Sequence, residues 1–464
     1  MPVFFWTDIL IYLLLLLGIG FGLYARRQEH LRSPWRQVLG SRVAMSSLVV
    51  LIVYVTIGLL DSLHFRPKLE HGNAEQHANQ VLSVFDVLVT PIRTRTEKTY
   101  SAPFAAHLFA KETIELPDGR QVRLYPRLVY GGAHLENPTM DKWADILRRT
   151  ALATAQGLGL WILLCGLFAL FWSRNAGLPV SKAVRVLARG DTDARWRAAL
   201  VTGGVLCVLG WVSAELGTAY HILGTDKVGE DVFYQSLKSV RTGLVIGTLT
   251  TLVMLPFAIL LGIMAGYFRG WIDDVIQYIY TTLNSIPGVL LIAAAVLILQ
   301  VYLDNHAAEF TSIEERADLR LLFLCLILGV TSWTGLCRYL RGESLKLREI
   351  DYIQSARALG VGHFTIIARH ILPNVMHIVL ITVVLDFSGL VLAEAVLSYV
   401  QIGVDPTMNS WGNMINSARL EMAREPAVWW SLFAAFVFMF TLVLAANLFS
   451  DTVRDAFDPR LRHR

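Results

Sequence analysis

Apolar positions gather into nine stretches, at roughly 4–24, 43–60, 152–172, 199–217, 240–266, 277–302, 319–337, 374–399 and 428–449. Each approaches or exceeds the about 20 residues that a helix needs to cross the hydrocarbon core of a bilayer. The pattern therefore predicts nine membrane-spanning helices. Between the second and third lies a polar segment of about 90 residues, long enough to fold as a small module rather than a simple loop. Within it Ile114 and Leu116 alternate with polar residues, Pro117-Asp118-Gly119 supplies turn chemistry, and Val122 and Leu124 alternate again, which predicts a β-hairpin with one face packed on the module or a partner.

A second pattern occupies the loop between the seventh and eighth stretches. From Arg348 to Gly360, Ile350, Ile353, Ala356 and Leu359 recur at helical spacing while Glu349, Asp351 and Arg357 are polar, predicting an amphipathic helix of about three turns. Gly360 ends it, since glycine enters the left-handed region without steric cost. Val361 to Ile371 predicts a second short helix, and Pro373, which lacks a backbone donor, limits how far it runs before the next span. The loop reads as a compact knob. Small side chains at Ser355, Ala356 and Ala358 suit close approach by another protein, with the flanking charges fixing register.

Composition agrees with a membrane protein. Of 464 residues, 54% are hydrophobic and only 17% charged, and the mean hydropathy is +0.50. The net charge of +4 does not point to nucleic acid, because the basic residues sit in short loops beside spans. Arg26, Arg27, Arg32, Arg36 and Arg42 follow the first span, Arg174, Lys182, Arg185, Arg189, Arg195 and Arg197 the third, and Arg338, Arg341, Lys346 and Arg348 the seventh. By the positive-inside rule those loops face the cytoplasm. Alternation then places the N-terminus and segments 61–150, 218–239, 303–318 and 400–427 outside. The C-terminal tail, with Arg454, Arg460, Arg462 and Arg464, falls inside. The first stretch reads as a retained helix, since Asp8 precedes it and Arg26-Arg27 follow, the reverse of a signal peptide.

Candidate chemistry narrows the function. Cys165, Cys207, Cys325 and Cys337 lie far apart within or at the ends of spans, which argues against a disulfide framework or zinc site. The scattered histidines His64, His71, His77, His107 and His134 give no metal spacing. There is no phosphate-binding Gly-rich loop ending in Gly-Lys-Ser/Thr, and no nucleophile and base pair or paired carboxylates in a soluble cleft. No catalytic residue and no cofactor are assigned to the chain.

Gln354-Ser355-Ala356, Gly360 and Leu372-Pro373 stand at the spacing of the EAA loop of ABC importer permeases, with Gln354 in place of the usual Glu and Ser355 in place of the usual Ala. Other segments resemble the dipeptide/oligopeptide/nickel permeases of that group. They are Leu223-Gly224-Thr225-Asp226 with Gly229 and Asp231-Val232 (Glu230 standing where Arg is usual), Ala265 to Asp273, Ser285-Ile286-Pro287, Ala393 to Tyr399, Gly403-Val404, Ser410-Trp411-Gly412 and Asp455 to Arg460. The resemblance spans roughly residues 218 to 460. With the hydropathy pattern it implies an all-α polytopic inner-membrane protein of about nine helices, with a six-helix ABC importer permease core in its C-terminal half; the small external α+β module near the N-terminus is expected from the polar segment and its hairpin alone.

The apolar stretches divide the chain into a two-helix segment 1–60, an extracytoplasmic module 61–150 and two helices in 151–217, and the resemblance makes 218–464 a permease core with coupling loop 338–373. Tyr352, Gln354, Ser355, Ala356, Arg357, Gly360, Leu372 and Pro373 become the ATPase-coupling residues. The implied partners are a second, different permease, two ABC ATPase domains that use ATP and Mg, an extracytoplasmic solute-binding protein and membrane lipid. The implied cargo is peptides or similar small solutes.

Ionisable and polar groups at membrane depth are candidates for the translocation path. Asp386 and Glu394 lie eight residues apart on the eighth span and could attract a cationic group such as a peptide amine; alternatively both are paired within the bundle, or Glu394 reaches the outer interface, and for Glu394 such a structural role is favoured. Asn284, with Ser285 and Pro287, would loosen the sixth span and offer hydrogen-bonding groups, or mark a simple kink. A gradient-driven secondary transporter using the two carboxylates, and a membrane sensor that moves no solute, remain as alternatives.

Overall fold

A computed structural model describes residues 1–27, 29–68, 81–115, 121–190, 192, 194–306, 310 and 312–457. Strand β1 (Pro2–Val3) precedes helices α1 (Trp6–Arg27), α2 (Glu29–Gly40) and α3 (Arg42–Asp61). Strands β2 (His64–Phe65) and β3 (Leu82–Ser83), short helices α4 (Val84–Leu88) and α5 (Thr90–Arg93), and strands β4 (Glu112–Glu115) and β5 (Gln121–Leu124) follow. Next come α6 (Pro138–Ala176), α7 (Val180–Arg189), α8 (Trp196–Gly217), α9 (Val232–Phe268), α10 (Trp271–Ser285) and α11 (Gly288–Asn305). The chain continues with α12 (Ile313–Ser332), α13 (Thr334–Arg348), α14 (Asp351–Ala358), α15 (His363–Ile366), a π turn at Ile367–Ile371, α16 (Leu372–Tyr399), α17 (Trp411–Glu421) and α18 (Trp430–Phe457).

The fold is an all-α polytopic membrane protein with small sheets. Among the described residues eight helical runs are long and apolar enough to cross a bilayer: α3, α6, α8, α9, α11, α12 continued by α13, α15 continued through α16, and α18. The first predicted span is α1, whose apolar part, Trp6–Gly20, is shorter than these. The predicted 277–302 span is corrected: α10 ends at Ser285, Ile286 is extended, and α11 starts only at Gly288. Pro287 cannot donate into a preceding helix and forces Ile286 out of the α region, so the helix breaks there.

Hydropathy also understates helix length. The 39 residues of α6 begin at Pro138, well before the predicted 152, because Asp145 secures the polar first turns. Its carboxylate receives Arg149 Nε at 2.9 Å and Tyr220 Oη at 2.8 Å. The predicted hairpin is present as β4 and β5, with Ile114 opposite Val122. Leu116, Pro117-Asp118-Gly119, His71, His77 and the tail residues from Asp458, Arg460, Arg462 and Arg464 included, lie outside the described residues.

The chain forms two compact units. One comprises Met1–Pro2, Trp35–Arg241 and Asn409–Phe449. In it α8 packs between α3 and α6, and Gly157 allows α6 to approach α8 so closely that an added Cβ would stand 3.2 Å from Val208 Cα. The segment between α3 and α6 is fastened by buried ions. Ser83 caps α4 with a reciprocal Ser83–Asp86 box, and Lys238 Nζ of α9 reaches Asp61 at 2.7 Å and both Asp86 oxygens at 2.7 Å. Tyr234 Oη adds a 2.7 Å bond to Asp86.

A second ionic centre sits nearby in sequence. His221 Nδ1 lies 2.7 Å from Asp231 Oδ2 and its Nε2 3.4 Å from Glu97 Oε1. Burial opposes a charged imidazole here, but the hydrogen bonds to Asp231 and Glu97 and their charges prevail and raise its pKa to about 9. Burial would raise Glu97 too; instead His221 and the backbone N–H groups of Gly131, Val129 and Tyr130 hold it at about 2. Trp430 Nε1 donates to Thr225 O at 2.9 Å, and Thr225 Oγ1 to Thr99 O at 2.9 Å, so residues near 225 are stitched to both flanking segments.

The other unit comprises Val3–Pro34, Thr242–Met408 and Ser450–Arg464. One apolar cluster joins Met254, Ile276, Leu336, Leu340, Ile353 and Val375, and another joins Val245, Leu249, Leu321, Leu324, Cys325 and Leu397. Helix α1 packs on α12, where Thr7 bonds to the Asp318 carboxylate.

The His221 centre makes stability depend on pH. A histidine raised from 6.5 to about 9 stabilises fully below pH 6.5 and loses that contribution as pH rises through 9, whereas Glu97, lowered from 4.5 to about 2, contributes above pH 4.5 and fails only toward pH 2. Stability against thermal unfolding in detergent is expected to fall between pH 7 and 10 by up to about 3 kcal/mol, and His221→Gln should flatten that slope. An unchanged slope in the variant would deny the centre an energetic role.

Candidate functional site

The knob predicted from residues 348–373 is built by α14, its terminal turn and the helix that follows. Ile350, extended at φ −75° and ψ 138°, precedes the first turn. At the other end Gly360 N bonds to Arg357 O at 3.0 Å and Val361 N to Ala356 O at 3.1 Å. With Gly360 at φ +77° this is a Schellman closure, the conformation an L side chain resists.

The predicted three-turn amphipathic face is corrected. Helix α14 has eight residues, and of the four apolar positions only Ile353 is buried, at 1% exposure. Ile350 belongs to the extended entry and Leu359 to the closing turn, so neither follows the helical phase. Leu359 and Phe364 are each 83% exposed, and Tyr352 is exposed beside them in sequence. Gln354, Ser355 and Arg357 are also exposed, while Ala356 is half-buried. Phe364 escaped the sequence reading because an apolar residue in a short helix is ordinarily assigned to the core.

The expected halt before Pro373 is also corrected. Helix runs from His363 to Tyr399, with the π turn Ile367–Ile371 bonding Leu372 N to Ile367 O. A wide turn makes room for a pyrrolidine ring that in a regular α-helix meets the carbonyl four residues back, and Pro373 falls in the first turn of α16 where no donor is needed. Leu372 is half-buried and Pro373 exposed. The knob is therefore continuous with a membrane helix.

Its base is held on three sides. Ile353, Ile366 and Ile371 join the apolar cluster with Leu340, Leu347 and Val375; burying one such side chain is worth about 1.5–3 kcal/mol. Arg348 Nη1 donates to Tyr267 O at 2.7 Å, Tyr267 Oη lies 2.8 Å from His363 Nδ1, and Asn374 Nδ2 donates to Tyr352 Oη at 3.1 Å. Arg341 grips Asp273 through two bonds of 2.6 and 2.7 Å, lowering the pKa of that carboxyl against the effect of its burial.

Helix α9 meets α13 with almost no side chain between them. A Cβ added at Gly262 would stand 2.8 Å from Cys337 O, and one at Gly266 2.5 Å from Arg341 O. This small-xxx-small spacing lets two membrane helices touch along their backbones. The residues bearing the knob are thereby tied to α9.

The membrane-depth candidates do not form one cluster. Glu394 is buried at 1% exposure and accepts from Ser398 Oγ at 2.7 Å. Asp386 is half-buried and has no hydrogen-bond or ion-pair partner among the described residues. Asn284 sits in the last turn of α10 rather than within a span, where Thr334 Oγ1 donates to its Oδ1 at 3.1 Å.

Comparison with known proteins finds that residues 258–463 match the family described as binding-protein-dependent transport system inner membrane component. A glutathione transport system permease protein of Pectobacterium atrosepticum is 33% identical over 242 residues, 52% of this chain and 73% of the relative. An oligopeptide transport system permease protein of Mycobacterium tuberculosis is 32% identical over 242 residues, 52% and 77% of the two chains. A dipeptide transport system permease protein of Bacillus subtilis is 29% identical over 245 residues, 53% and 70%.

The α9–α13 contact predicts opposite outcomes for two glycines. Gly266→Leu should lower the melting temperature of the purified chain, corresponding to about 1–3 kcal/mol of overpacking. Gly342→Ala, where an added Cβ meets nothing within 4 Å, should leave it unchanged or slightly higher. Equal effects would contradict the close approach.

Proposed function

The chain belongs to the binding-protein-dependent inner-membrane components, the permeases of peptide-family ABC transporters, and from that premise we propose that it forms half of an import path whose knob couples to a separate ATPase subunit. The observation carrying the proposal is the exposure of Leu359 and Phe364 on a knob whose base is immobilised by Ile353, Arg348 and Tyr267. A soluble socket covering the two side chains would remove apolar surface from water, and a stiff base would pass its displacement into α9, α13 and α16. Tyr352, Gln354, Ser355, Ala356, Arg357 and the Gly360 turn form the docking surface; Leu372 and Pro373 join it to α16.

Two ATPase domains using MgATP, a second and different permease, and an extracytoplasmic solute-binding protein complete the proposed complex. The chain itself acts without catalytic residues or a bound cofactor. Segment 218–464 is the permease core and 61–150 the extracytoplasmic module, with the N-terminus outside and the C-terminus in the cytoplasm, in keeping with the loop arginines. The names of the relatives, which carry glutathione, oligopeptides and dipeptides, favour peptides or similar small solutes as cargo. Asp386, half-buried and without a hydrogen-bond or ion-pair partner among the described residues, is proposed to line the path, with Asn284 and Glu394 as further, separate candidates.

Gentle extraction of the tagged chain should bring an ATPase and a second permease with it, and the sample should hydrolyse MgATP. A lone chain that transports down an ion gradient would instead establish a secondary carrier, the reading that an unpaired membrane carboxylate otherwise invites. Leu359→Asp with Phe364→Asp, and separately Gly360→Val, should abolish uptake while the chain stays folded in the membrane; undiminished uptake in either would remove the coupling role. Asp386→Asn is expected to reduce uptake of cationic solutes about tenfold and leave neutral ones unaffected, an effect of about 1.4 kcal/mol. A parallel loss of both classes would make Asp386 structural.

A further inference from the structure

Within the first unit a cleft of about 430 Å³ opens between the beginning of α3, the end of α7 and the beginning of α8, lined by Arg42, Ser46, Arg189, Arg195, Arg197 and Thr202 among others. Four arginines thus border one small space. Among the described residues none makes an ion pair, and the one side-chain bond they make there runs from Arg195 Nε to Gly40 O at 3.3 Å. Asp191 and Asp193, between α7 and α8 in sequence, lie outside the described residues. Neighbouring like charges repel, and each guanidinium presents a planar fork suited to oxyanions.

The surroundings add to the charge. Helix α8 starts without a side-chain cap, so the positive end of its dipole lies beside Arg195 and Arg197. Thr202 Oγ1 donates to Ser46 Oγ at 3.0 Å, placing two hydroxyls on the cleft wall. Val201 lines the cleft and begins an exposed apolar row continued by Val205 and Leu209 at four-residue spacing along α8. A polar basin opening onto an apolar helix face is shaped for an amphiphile, whereas a free ion needs only the basin.

We propose that this cleft binds the phosphate headgroup of an anionic phospholipid, with an acyl chain laid along Val201, Val205 and Leu209. The distribution of loop arginines puts it at the cytoplasmic surface, where anionic headgroups and juxtamembrane basic residues attract one another. The site lies in the helices that precede the permease core, and its occupancy does not depend on the coupling proposal. Lipid there would fasten α3, α7 and α8 to the leaflet.

The test is lipid binding to the delipidated complex containing the full chain, followed by native mass spectrometry with phosphatidylglycerol, phosphatidylcholine or inorganic phosphate added. Phosphatidylglycerol should bind at least about tenfold more tightly than phosphatidylcholine and resist millimolar phosphate. The combined Arg42→Gln, Arg189→Gln and Arg197→Gln variant should erase the preference, whereas Lys182→Gln with Arg185→Gln, outside the cleft, should keep it. Should the triple variant fail to assemble, Arg197→Gln alone decides, with an expected loss of about fivefold. Equal binding of the two lipids, or a preference that survives the arginine changes, overturns the site; displacement by inorganic phosphate overturns the lipid and assigns the cleft to a soluble anion.

Discussion

A peptide group in hydrocarbon has no water to bond, and every backbone donor and acceptor in a span must therefore be satisfied within the protein. That constraint makes the chain helical wherever it is apolar. It also gives meaning to the departures from regular helix. The break at Ile286-Pro287 falls between α10 and α11, and the π turn at Ile367–Ile371 precedes Pro373. Each accommodates a proline at a helix end or beginning, where missing donors cost least.

The knob illustrates how local and tertiary effects combine. Gly360 closes α14 by a backbone preference that belongs to one residue, but eight residues of helix are too few to persist alone in water. Stability comes from Ile353 inserted among Leu340, Leu347, Ile366 and Ile371 and from the polar contacts of Arg348 and Tyr267. With its base so fixed, the exposed Leu359 and Phe364 cannot retreat into the core. The same rigidity that leaves apolar surface exposed is what the proposed coupling would require.

Charge is handled in two contrasting ways in the first unit. Lys238 is surrounded by Asp61 and Asp86, and His221 by Asp231 and Glu97, so buried ions find opposite partners. Removing one member of such a set costs more than the set contributes, because the survivor stays buried and unpaired. Arg42, Arg189, Arg195 and Arg197 have no such partners among the described residues and lie at a cleft. The first arrangement holds segments of the chain together; the second is the basis of the proposed lipid site.

The sequence by itself determined the membrane class, most of the spans as apolar runs, the β4–β5 hairpin and the turn at Gly360, because each follows from short-range periodicity or from one residue's backbone preference. The EAA-like spacing around Gln354 to Pro373 was enough to recognise the family that residues 258–463 match. Tertiary structure alone decided that Leu359 faces solvent while Ile353 is buried, that α6 extends back to Pro138, and that Asn284 lies outside a span. It alone joined Lys238 to Asp61 and Asp86, and His221 to Glu97, across separations of more than 100 residues. Periodicity ranks the faces of one helix but carries no information about which distant carboxylate will meet a buried cation; that depends on the packing of several elements at once.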